Sequence, residues 1–364
     1  MKFRCERDTL IEAVGIATRA VGSRGSSLPI LSGLRFELAG DDLRLLGTDL
    51  DLAIAVDVKV SGGADGVAVI PARLVSEIVR ALEPGAVTVE VGPDTAAITA
   101  GRSQFSLRVI PPDDFPRPTE PAGEAVTLAV AELAGALRQV VPAASADDSR
   151  PILTGVLLAA EDGGLRLVAT DSYRLAVRDL PGARVLEEGA HVLVPSRALN
   201  ELTRILGGDH QELTLRLGER EAAFELGNVR LTTRLIEGEF PNYRGLIPQS
   251  HPNVLTVNRI ELLDAVRRTR LMAREATPLR MVMKPEGLEL VAITQDVGQA
   301  HEELDAVYDG EALTVAFNPD YLVDGLEVAP GEQVTLHTVD ALKPALLRGS
   351  GTEFLYLLMP VRVS

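Results

Sequence analysis

Apolar residues recur at helical spacing in three separate segments of the chain. In each segment they fall about three or four residues apart, less regularly in the third, as they do on one face of an amphipathic helix. The positions are Leu10, Val14, Ala17 and Val21, then Leu133, Leu137 and Val141, and then Leu262, Val266 and Met272. The pattern predicts one helix in each segment.

Three further helical segments follow the prolines Pro71, Pro195 and Pro319. Proline is well tolerated in the first turn of a helix, where its missing N–H would have no partner. The apolar positions are Leu74, Ile78 and Leu82 in the first of these segments and Leu199, Leu202 and Leu206 in the second. We expect each helix to open at its proline and to bury these side chains.

Between the helical segments the apolar residues alternate with polar ones. Alternation is clearest at Leu52, Ile54, Val56, Val58 and Val60, with Asp57 and Lys59 on the other face, and at Val87, Val89 and Val91. A period of two predicts β-strands with one buried face.

The same order of elements occurs three times. "LPILSGLRFELAGDDLRLLGTDLDLAI" at 28–54 corresponds to "RPILTGVLLAAEDGGLRLVATDSYRLAV" at 150–177 and to "TPLRMVMKPEGLELVAITQDVGQA" at 277–300. The proline-opened helices follow in the same order, and each unit closes on a strand: "FSLRVIPPDDFP", "VRLTTRLIEGEFP" and "FLYLLMPVRVS". Such regular repetition indicates three homologous units.

The repeat predicts domains at 1–120, 126–248 and 250–364, separated by segments rich in proline, glycine and acidic residues. Each domain is expected to be α+β, with two helices covering a β-sheet. The final strand "FLYLL" should bury Leu355 and Leu357, whereas "MPVRVS" begins with residues that a partner could contact.

Composition narrows the function classes. The chain of 364 residues has a formal net charge of -16, so nucleic acid could bind only through a local basic patch. One cysteine, a charged start "MKFRCERDTL" and the lack of a long apolar run favour a cytoplasmic protein with no membrane partner.

Candidate chemistry is sparse. The five histidines are scattered, and the sequence contains no phosphate-binding glycine loop, no nucleophile elbow and no zinc motif. We therefore expect no catalytic residue, no metal and no cofactor. An acidic three-domain scaffold that binds only proteins and does not encircle DNA is one function that this composition allows. An enzyme without any of these motifs is another, and it is less favoured.

Arginines recur in the candidate helices. Arg267, Arg270 and Arg274 have spacings of three and four, which predicts one basic helical face. If the helices of all units face the same way, their arginines form a surface that contacts the phosphates of duplex DNA without reading sequence. The predicted DNA-binding set is Arg24, Arg73, Arg80, Arg138, Arg150, Arg197, Arg204, Arg267, Arg270 and Arg274.

The whole chain resembles the β subunits of bacterial DNA polymerase III, the sliding clamps. The most specific matches are "LPIL", "IPARLVSEIVRAL", "RSQFSL", "ATDSYRLA", "FPNYRGLIP", "FNPDYL" and "LLMPVR". The resemblance implies three DNA-clamp domains per chain and a six-domain ring formed by a head-to-tail homodimer. In that ring Phe105 and Leu107 of one chain would meet Leu271 and Met272 of the other.

The resemblance also implies a processivity function. The ring would encircle double-stranded DNA and tether the replicative DNA polymerase, the clamp loader, other polymerases and repair proteins. These partners would insert a short peptide of the Gln-Leu-x-Leu-Phe type into a pocket between the second and third domains.

The family's pocket positions carry over residue by residue. They are Leu153, Thr170, Ser172, Tyr173, Arg174, Leu175, Pro241, Leu246, Asn318, Tyr321, Pro344, Leu358, Met359, Pro360, Val361 and Arg362. Gly245 departs from the family, which often has a longer polar residue there. We expect this departure to change the affinity for partner peptides, or the choice among them, at the edge of the pocket that contains Gly245.

Overall fold

The structure is a computed structural model that describes residues 1–22, 28–119, 121–207, 210–273, 277–295 and 297–362. In the first repeat, helix α1 spans Arg7–Ala17 and α2 spans Ala72–Ala81. Its strands are β1 Lys2–Glu6, β2 Gly33–Ala39, β3 Asp42–Thr48, β4 Leu52–Lys59, β5 Ser61–Ala64, β6 Gly66–Pro71, β7 Ala86–Val91, β8 Thr95–Ala100 and β9 Ser103–Arg108.

The second and third repeats follow the same plan. The second has α3 Val130–Val140 and α4 Ser196–Ile205, and the third has α5 Arg259–Thr269 and α6 Pro319–Val328. The second-repeat strands are β10 Ala125–Ala129, β11 Gly155–Glu161, β12 Gly164–Thr170, β13 Arg174–Leu180, β14 His191–Pro195, β15 Glu212–Leu217, β16 Glu221–Leu226 and β17 Val229–Arg234. The third-repeat strands are β18 Asn253–Asn258, β19 Leu279–Lys284, β20 Gly287–Thr294, β21 Gly298–Leu304, β22 Ala306–Asp309, β23 Leu313–Phe317, β24 Gln333–Thr338, β25 Ala345–Arg348 and β26 Phe354–Leu358.

Two of the four sheets are shared between consecutive repeats. The eight-stranded sheet has the order β10-β15-β16-β17-β4-β3-β2-β6, and the nine-stranded sheet has the order β14-β11-β12-β13-β26-β25-β24-β18-β22. β4 pairs antiparallel with β17, and β13 pairs antiparallel with β26. We call these two strand pairs the intrachain junctions, because each pairs one repeat with the next by backbone hydrogen bonds within the same chain.

The other two sheets belong to one repeat each. They have the orders β5-β1-β7-β8-β9 and β21-β20-β19-β23. Within the described part of the chain, β9 and β21 therefore each have a neighbouring strand on one side only.

The described residues form two compact units. One unit contains residues 1–131 and 197–235, with the five- and eight-stranded sheets, and the other contains 132–196 and 236–364, with the nine- and four-stranded sheets. The second repeat contributes to both units because its strands divide between the two shared sheets. The domain boundaries inferred from the sequence stay a prediction.

Helices α1, α3, α4 and α5 bury the apolar positions that their periodicity predicted, with several differences at the ends, whereas α2 buries a different face. Val21, Val141 and Met272 lie beyond α1, α3 and α5, which end in single 3₁₀ turns. Pro71 and Pro195 end strands β6 and β14, and only Pro319 lies inside its helix. The prediction that all three prolines open their helices was therefore wrong for the first two.

One predicted core leucine is exposed. α2 buries Ala72, Val75 and Val79, whereas Leu74 keeps 47% of its surface exposed. In α4 the predicted leucines Leu199, Leu202 and Leu206 are all buried. The final strand is confirmed as β26 and buries Leu357, while Leu355 is only half-buried.

Candidate peptide pocket and nucleic-acid interface

The motif "ATDSYR" forms a tight corner between β12 and β13. The Thr170 hydroxyl donates to the Arg174 carbonyl at 2.7 Å and accepts from the Ser172 amide at 3.2 Å. Asp171 Oδ1 accepts from the amides of Tyr173 and Arg174 at 2.9 and 3.0 Å. These bonds hold Ser172 at φ +80°, which is rare for a residue other than glycine, and leave Tyr173 59% exposed.

Arg174 connects this corner to the third repeat. Its Nε donates to Asp171 Oδ2 at 3.0 Å, and its Nη1 pairs with Asp324 of α6. The guanidinium stacks on the Tyr321 ring, with 4.3 Å between Cζ and the ring centroid, and reaches the Tyr356 hydroxyl at 3.4 Å. A planar charge held on two carboxylates and an aromatic face has little freedom to move.

The electrostatics of this cluster support its rigidity. Burial opposes the charge on Arg174, but Tyr356 and the carboxylates of Asp324 and Asp171 raise the pKa of the guanidinium overall. For the Tyr356 hydroxyl, burial disfavours the charged phenolate and therefore raises the pKa. Asp171, Asp324 and Tyr356 were not predicted as site residues. The aspartate at the third position of "ATDSYR" was the one sequence signal that could have indicated Asp171.

The chain end lies against the same corner. The Met359 amide donates to the Tyr173 carbonyl at 2.8 Å, and the Val361 amide donates to the Ala316 carbonyl at 2.8 Å. Met359 is half-buried on a cluster that includes Leu175, Tyr243 and Leu357. Met359 and Pro360 are half-buried, while Val361 and Arg362 are exposed, so the side chains after β26 remain partly open to a partner.

The remaining predicted pocket positions divide into accessible and inaccessible groups. Pro241 is exposed and Leu246 keeps 45% of its surface exposed. Leu153 and Pro344 are half-buried, and Pro344 directly precedes Ala345, which pairs with Leu358. Asn318 uses its side chain to cap α6.

Three predicted pocket residues are inaccessible. Thr170, Leu175 and Leu358 are buried, with exposures of 4%, 1% and 1%, and can only support the pocket from below. Gly245 lies on the short 3₁₀ turn Tyr243–Leu246, where an added Cβ would approach only the Asn242 amide, at 3.9 Å.

The predicted DNA-binding arginines differ in how free they are. Arg73, Arg197, Arg204, Arg267 and Arg270 are exposed but form ion pairs with Glu77, Asp49, Glu201, Glu327 and Asp320 respectively. Arg80 and Arg138 are exposed and have no ion pair among the described residues. Arg24 and Arg274 lie outside the described residues.

The predicted basic face of Arg267, Arg270 and Arg274 extends past the end of α5 and stays a prediction, because Arg274 lies outside the described residues. α5 ends at Thr269, and Arg270 belongs to the following 3₁₀ turn Arg270–Met272. The buried hydroxyl of Thr269 donates to the Ala265 carbonyl at 2.8 Å.

Arg150 also differs from its prediction. Its Nε donates to Asp147 at 3.0 Å, and its Nη1 lies 3.4 Å from both the Asp171 carbonyl and the Ser172 hydroxyl. This places Arg150 beside the corner between β12 and β13 rather than on a helix.

The four predicted dimer residues lie on or beside the unpaired strand edges. Phe105 on β9 is 37% exposed, and Leu107 on the same strand is half-buried. Leu271 is 72% exposed. Met272 lies under β21, because its carbonyl accepts from the Thr294 hydroxyl and its Cε would be 2.9 Å from a Cβ at Gly298.

No group of three or more potential metal ligands occurs among residues of the described ranges. No helix in the described part of the chain is long and apolar enough to cross a membrane.

Comparison with known proteins follows the same three-part division. Family models of the DNA polymerase III beta subunit match in sequence order: the N-terminal domain at 1–119, the central domain at 127–242 and the C-terminal domain at 244–362. Three clamp domains in one chain define a DNA clamp protein.

Full-length relatives identify the type of clamp. The chain is 34% identical to the beta sliding clamp of Streptomyces coelicolor and 32% identical to that of Bacillus subtilis, with all of each chain covered. The solved DNA polymerase sliding clamp of B. subtilis superposes with a TM-score of 0.94 at 31% identity, again over the whole of both chains. The chain therefore belongs to the DNA polymerase III beta subunit family, the beta sliding clamps.

Proposed function

We propose that two copies of this chain close head to tail into a six-domain ring around duplex DNA. The chain is a processivity factor: as a sliding clamp it keeps a DNA polymerase on its template and is not itself catalytic. The open edges of β9 and β21 support the ring, because each shared sheet within the chain has eight or nine strands and the two unshared sheets have five and four. Pairing β9 with β21 of a second copy would make a sheet of the same size.

Binding to DNA is proposed to involve arginines of the helices. Phosphate contacts carry no sequence information and so permit sliding. Arg80 and Arg138 are the strongest candidates, because their guanidinium groups are exposed and have no carboxylate partner among the described residues. The ion-paired arginines can also exchange a carboxylate for a phosphate, since an exposed ion pair contributes about 1 kcal/mol or less.

Partner proteins are proposed to bind at the corner built by Thr170–Leu175 and the chain end. Exposed Tyr173, half-buried Met359 and exposed Leu246 offer apolar surface for the leucine and phenylalanine of a Gln-Leu-x-Leu-Phe type peptide. The replicative polymerase, the clamp loader and repair proteins would compete for this one pocket. A cytoplasmic location stays a prediction from the sequence.

The observation that carries the proposal is that β9 and β21 each have an open edge, whereas their counterparts in the repeats, β17 and β26 for β9 and β4 and β13 for β21, are paired with each other. The test is retention on DNA. The protein is loaded on nicked circular DNA, half of the sample is linearised, and both are passed through a sizing column in moderate salt. A ring stays on the circle and slides off the linear ends; equal retention on both would favour the acidic scaffold that does not encircle DNA.

A further inference from the structure

The first intrachain junction, between β4 and β17, contains a counterpart of the peptide pocket with different chemistry. We propose that this junction binds an acidic segment of a partner protein, whose carboxylate is held by Arg117 and by the arginines of the sheet beside it. The choice of a peptide as the ligand rests on the pocket proposed at the second intrachain junction, between β13 and β26. The site itself is built from residues of the first junction alone.

The corner before β4 has the same hydrogen bonds as the corner before β13. The Thr48 hydroxyl donates to the Leu52 carbonyl at 2.9 Å and accepts from the Leu50 amide at 3.1 Å. Asp49 Oδ1 accepts from the amides of Asp51 and Leu52 at 3.1 and 2.8 Å. Leu50 has a φ of +87°, and the residue at the same place in the second corner has +80°. The two corners therefore correspond residue by residue.

Strand pairing extends this correspondence to the residues after each last strand. Thr233 lies opposite the first residue of β4, and Leu358 lies opposite the first residue of β13, so Arg234 takes the place of Met359. The dipeptide "FP" at 115–116 corresponds in the same way to "FP" at 240–241. A cavity of about 110 Å³ lies at the first corner, and its lining includes Leu50, Asp51, Pro116, Glu221 and Arg234.

This cavity lacks the apolar character of its counterpart. Asp51 stands where the second junction has Tyr173, and Arg234 stands where it has Met359. Arg234 and Asp51 pair with each other at 3.8 Å, with side chains that are 64% and 75% exposed. A peptide of the Gln-Leu-x-Leu-Phe type would meet charged groups here instead of apolar surface, so it is not the expected ligand.

A second cavity, of about 260 Å³, adjoins the first. The two cavities share Ala53, Arg117 and Thr232 in their walls. The second cavity lies between linker residues 117–119 and strands β2, β3, β4 and β17. Its wall has an excess of positive charge, because four arginines line it against two carboxylates. These residues are Arg35, Arg44, Arg117 and Arg230, with Glu37 and Asp57.

Two of these arginines are held by the carboxylates of the same cavity. Arg35 donates to Glu37 at 2.6 Å, and Arg44 donates to both carboxylate oxygens of Asp57, at 2.7 and 2.9 Å. Arg35 is only 5% exposed, so the cavity wall contains a buried cation. Paired hydrogen bonds of this kind show that the cavity geometry suits carboxylate groups.

Arg117 is the one arginine of this cavity that has no ion pair within the described residues. Arg230 pairs with Glu225 at 3.2 Å. Arg117 is exposed on the linker and lines both cavities. An incoming carboxylate would therefore meet a guanidinium for which no described carboxylate competes.

The second junction has leucines where the first has arginines. β2 and β11 both begin at a glycine, so Arg35 corresponds to Leu157, and the strand register makes Arg230 correspond to Leu355. Leu157 and Leu355 pack in one apolar cluster with Tyr243 of the linker. Two arginines in place of two leucines change the ligand that suits this face of the sheet from apolar to anionic.

The position and the charge of the cavity favour a carboxylate over DNA or phosphate. A Cβ at Gly47 of β3 would lie 2.2 Å from the Ala17 carbonyl of α1, whereas the neighbouring Leu46 lines the cavity. Because side chains alternate along a strand, α1 and the cavity are on opposite faces of the sheet. A phosphate group carries about two negative charges, which Glu37 and Asp57 would repel, whereas a carboxylate carries a single charge.

Fluorescence anisotropy with a labelled hexaglutamate peptide tests the proposal. A protein with a net charge of -16 repels an acidic probe at long range, so binding of hexaglutamate reports a local basic site. We expect hexaglutamate to bind at low salt and to bind more weakly as the ionic strength rises. Absence of binding at low salt would overturn the proposal.

Arg117→Glu locates the binding. Because Arg117 is exposed, the variant should fold normally and should raise the Kd for hexaglutamate about tenfold or more, since repulsion replaces a charge-assisted hydrogen bond. Arg184→Glu is the matched control, with the same change of net charge at an exposed arginine that has no ion pair in the described part of the chain. The same Kd for both variants would show that net charge governs binding, and the site would be rejected.

Two competitors distinguish this site from the proposed peptide pocket and from a phosphate site. An unlabelled Gln-Leu-x-Leu-Phe type peptide should not displace hexaglutamate, and displacement would place the probe at the second junction instead. Tripolyphosphate should compete less well than unlabelled hexaglutamate, and stronger competition would overturn the assignment to carboxylates. If hexaglutamate binds through Arg117 while the Gln-Leu-x-Leu-Phe type peptide does not bind at all, the first-junction site is supported and the proposed pocket fails.

Discussion

At the scale of single residues, Arg174 is the side chain on which the pocket corner depends most. It joins Asp171 of its own corner to Asp324, Tyr321 and Tyr356 of the third repeat. Its side chain is only 11% exposed, so its loss would leave the equally buried carboxylate of Asp171 without a cation.

We expect Arg174→Met to destabilise the unit that contains it by about 3 kcal/mol or more, as removal of one partner from a buried ion pair does. Urea unfolding measures this. Arg184→Met is the control, since Arg184 is exposed and has no ion pair within the described ranges. Equal unfolding midpoints for the two variants would show that the Arg174 cluster contributes little.

Met359 is the residue for which a structural and a binding role can be separated. Its backbone pairs with Tyr173, but its side chain is only half-buried, so Met359→Ala should preserve the strand and remove apolar pocket surface. We expect a loss of roughly 2 kcal/mol in affinity for a Gln-Leu-x-Leu-Phe type peptide, the scale of a binding hot spot.

Isothermal titration gives that affinity, with Ile260→Ala as the control at another exposed apolar residue. The dimer and its retention on DNA should be unaffected. Loss of the dimer together with peptide binding would mean that Met359 belongs to the core alone.

At the scale of secondary-structure elements, strands β24 and β25 carry a group of basic side chains next to the segment before β18. The rings of His251 and His337 lie 5.4 Å apart between centroids, and the buried Nε2 of His251 has no hydrogen-bond partner. Burial lowers the pKa of both histidines, with Arg348 adding to the effect and His251 adding to it for His337.

This pair should make the third repeat sensitive to acid. The unfolded chain takes up protons near the ordinary histidine pKa of 6.5, whereas the folded pair resists protonation to a lower pH. Stability should therefore be constant above that pH and should fall as the pH drops below it, until the folded histidines also protonate.

Denaturant unfolding between pH 7.5 and 5 tests this, with His337→Gln as the variant. We expect the acid-induced loss of stability to be smaller in His337→Gln than in the parent. His191→Gln is the control, since His191 is exposed on β14. The same slope in the parent and in His337→Gln would contradict the assignment.

At the scale of the whole molecule, the main question is how a protein with a net charge of -16 binds DNA. Arg80 and Arg138 differ from the ion-paired helix arginines, because neither has a carboxylate partner in the part of the chain that the structure describes. Acidic residues elsewhere would discourage DNA from binding at other surfaces.

Replacing Arg80 and Arg138 together by glutamate should weaken retention on circular DNA to the same degree for every DNA sequence. The loss should be larger at low salt, because phosphate attraction is screened as the ionic strength rises. Dimer formation and thermal stability should remain those of the parent.

The control has the same change of charge: Arg184→Glu with Arg220→Glu, at exposed arginines on loops outside the six helices. Equal retention of the two double variants would show that net charge, rather than the position of Arg80 and Arg138, governs binding.

The sequence alone determined the repeat and hence the family, because burial imposes a periodicity on every helix and strand. The three-part order of elements, the final strand Phe354–Leu358 and the tight corner of "ATDSYR" can all be read from local patterns. It also indicated candidate residues for a peptide pocket through the motifs of the family, and their role stays a prediction.

Tertiary structure alone decided which neighbours each side chain meets. Periodicity could not show that Leu74 is exposed, that Arg150 bonds to the pocket corner, or that α5 ends before Arg270. Nor could it show that Arg267 already binds a carboxylate, since Glu327 lies 60 residues from it in the chain. Burial and ion pairing at these positions depend on contacts between distant segments, which a local pattern does not record.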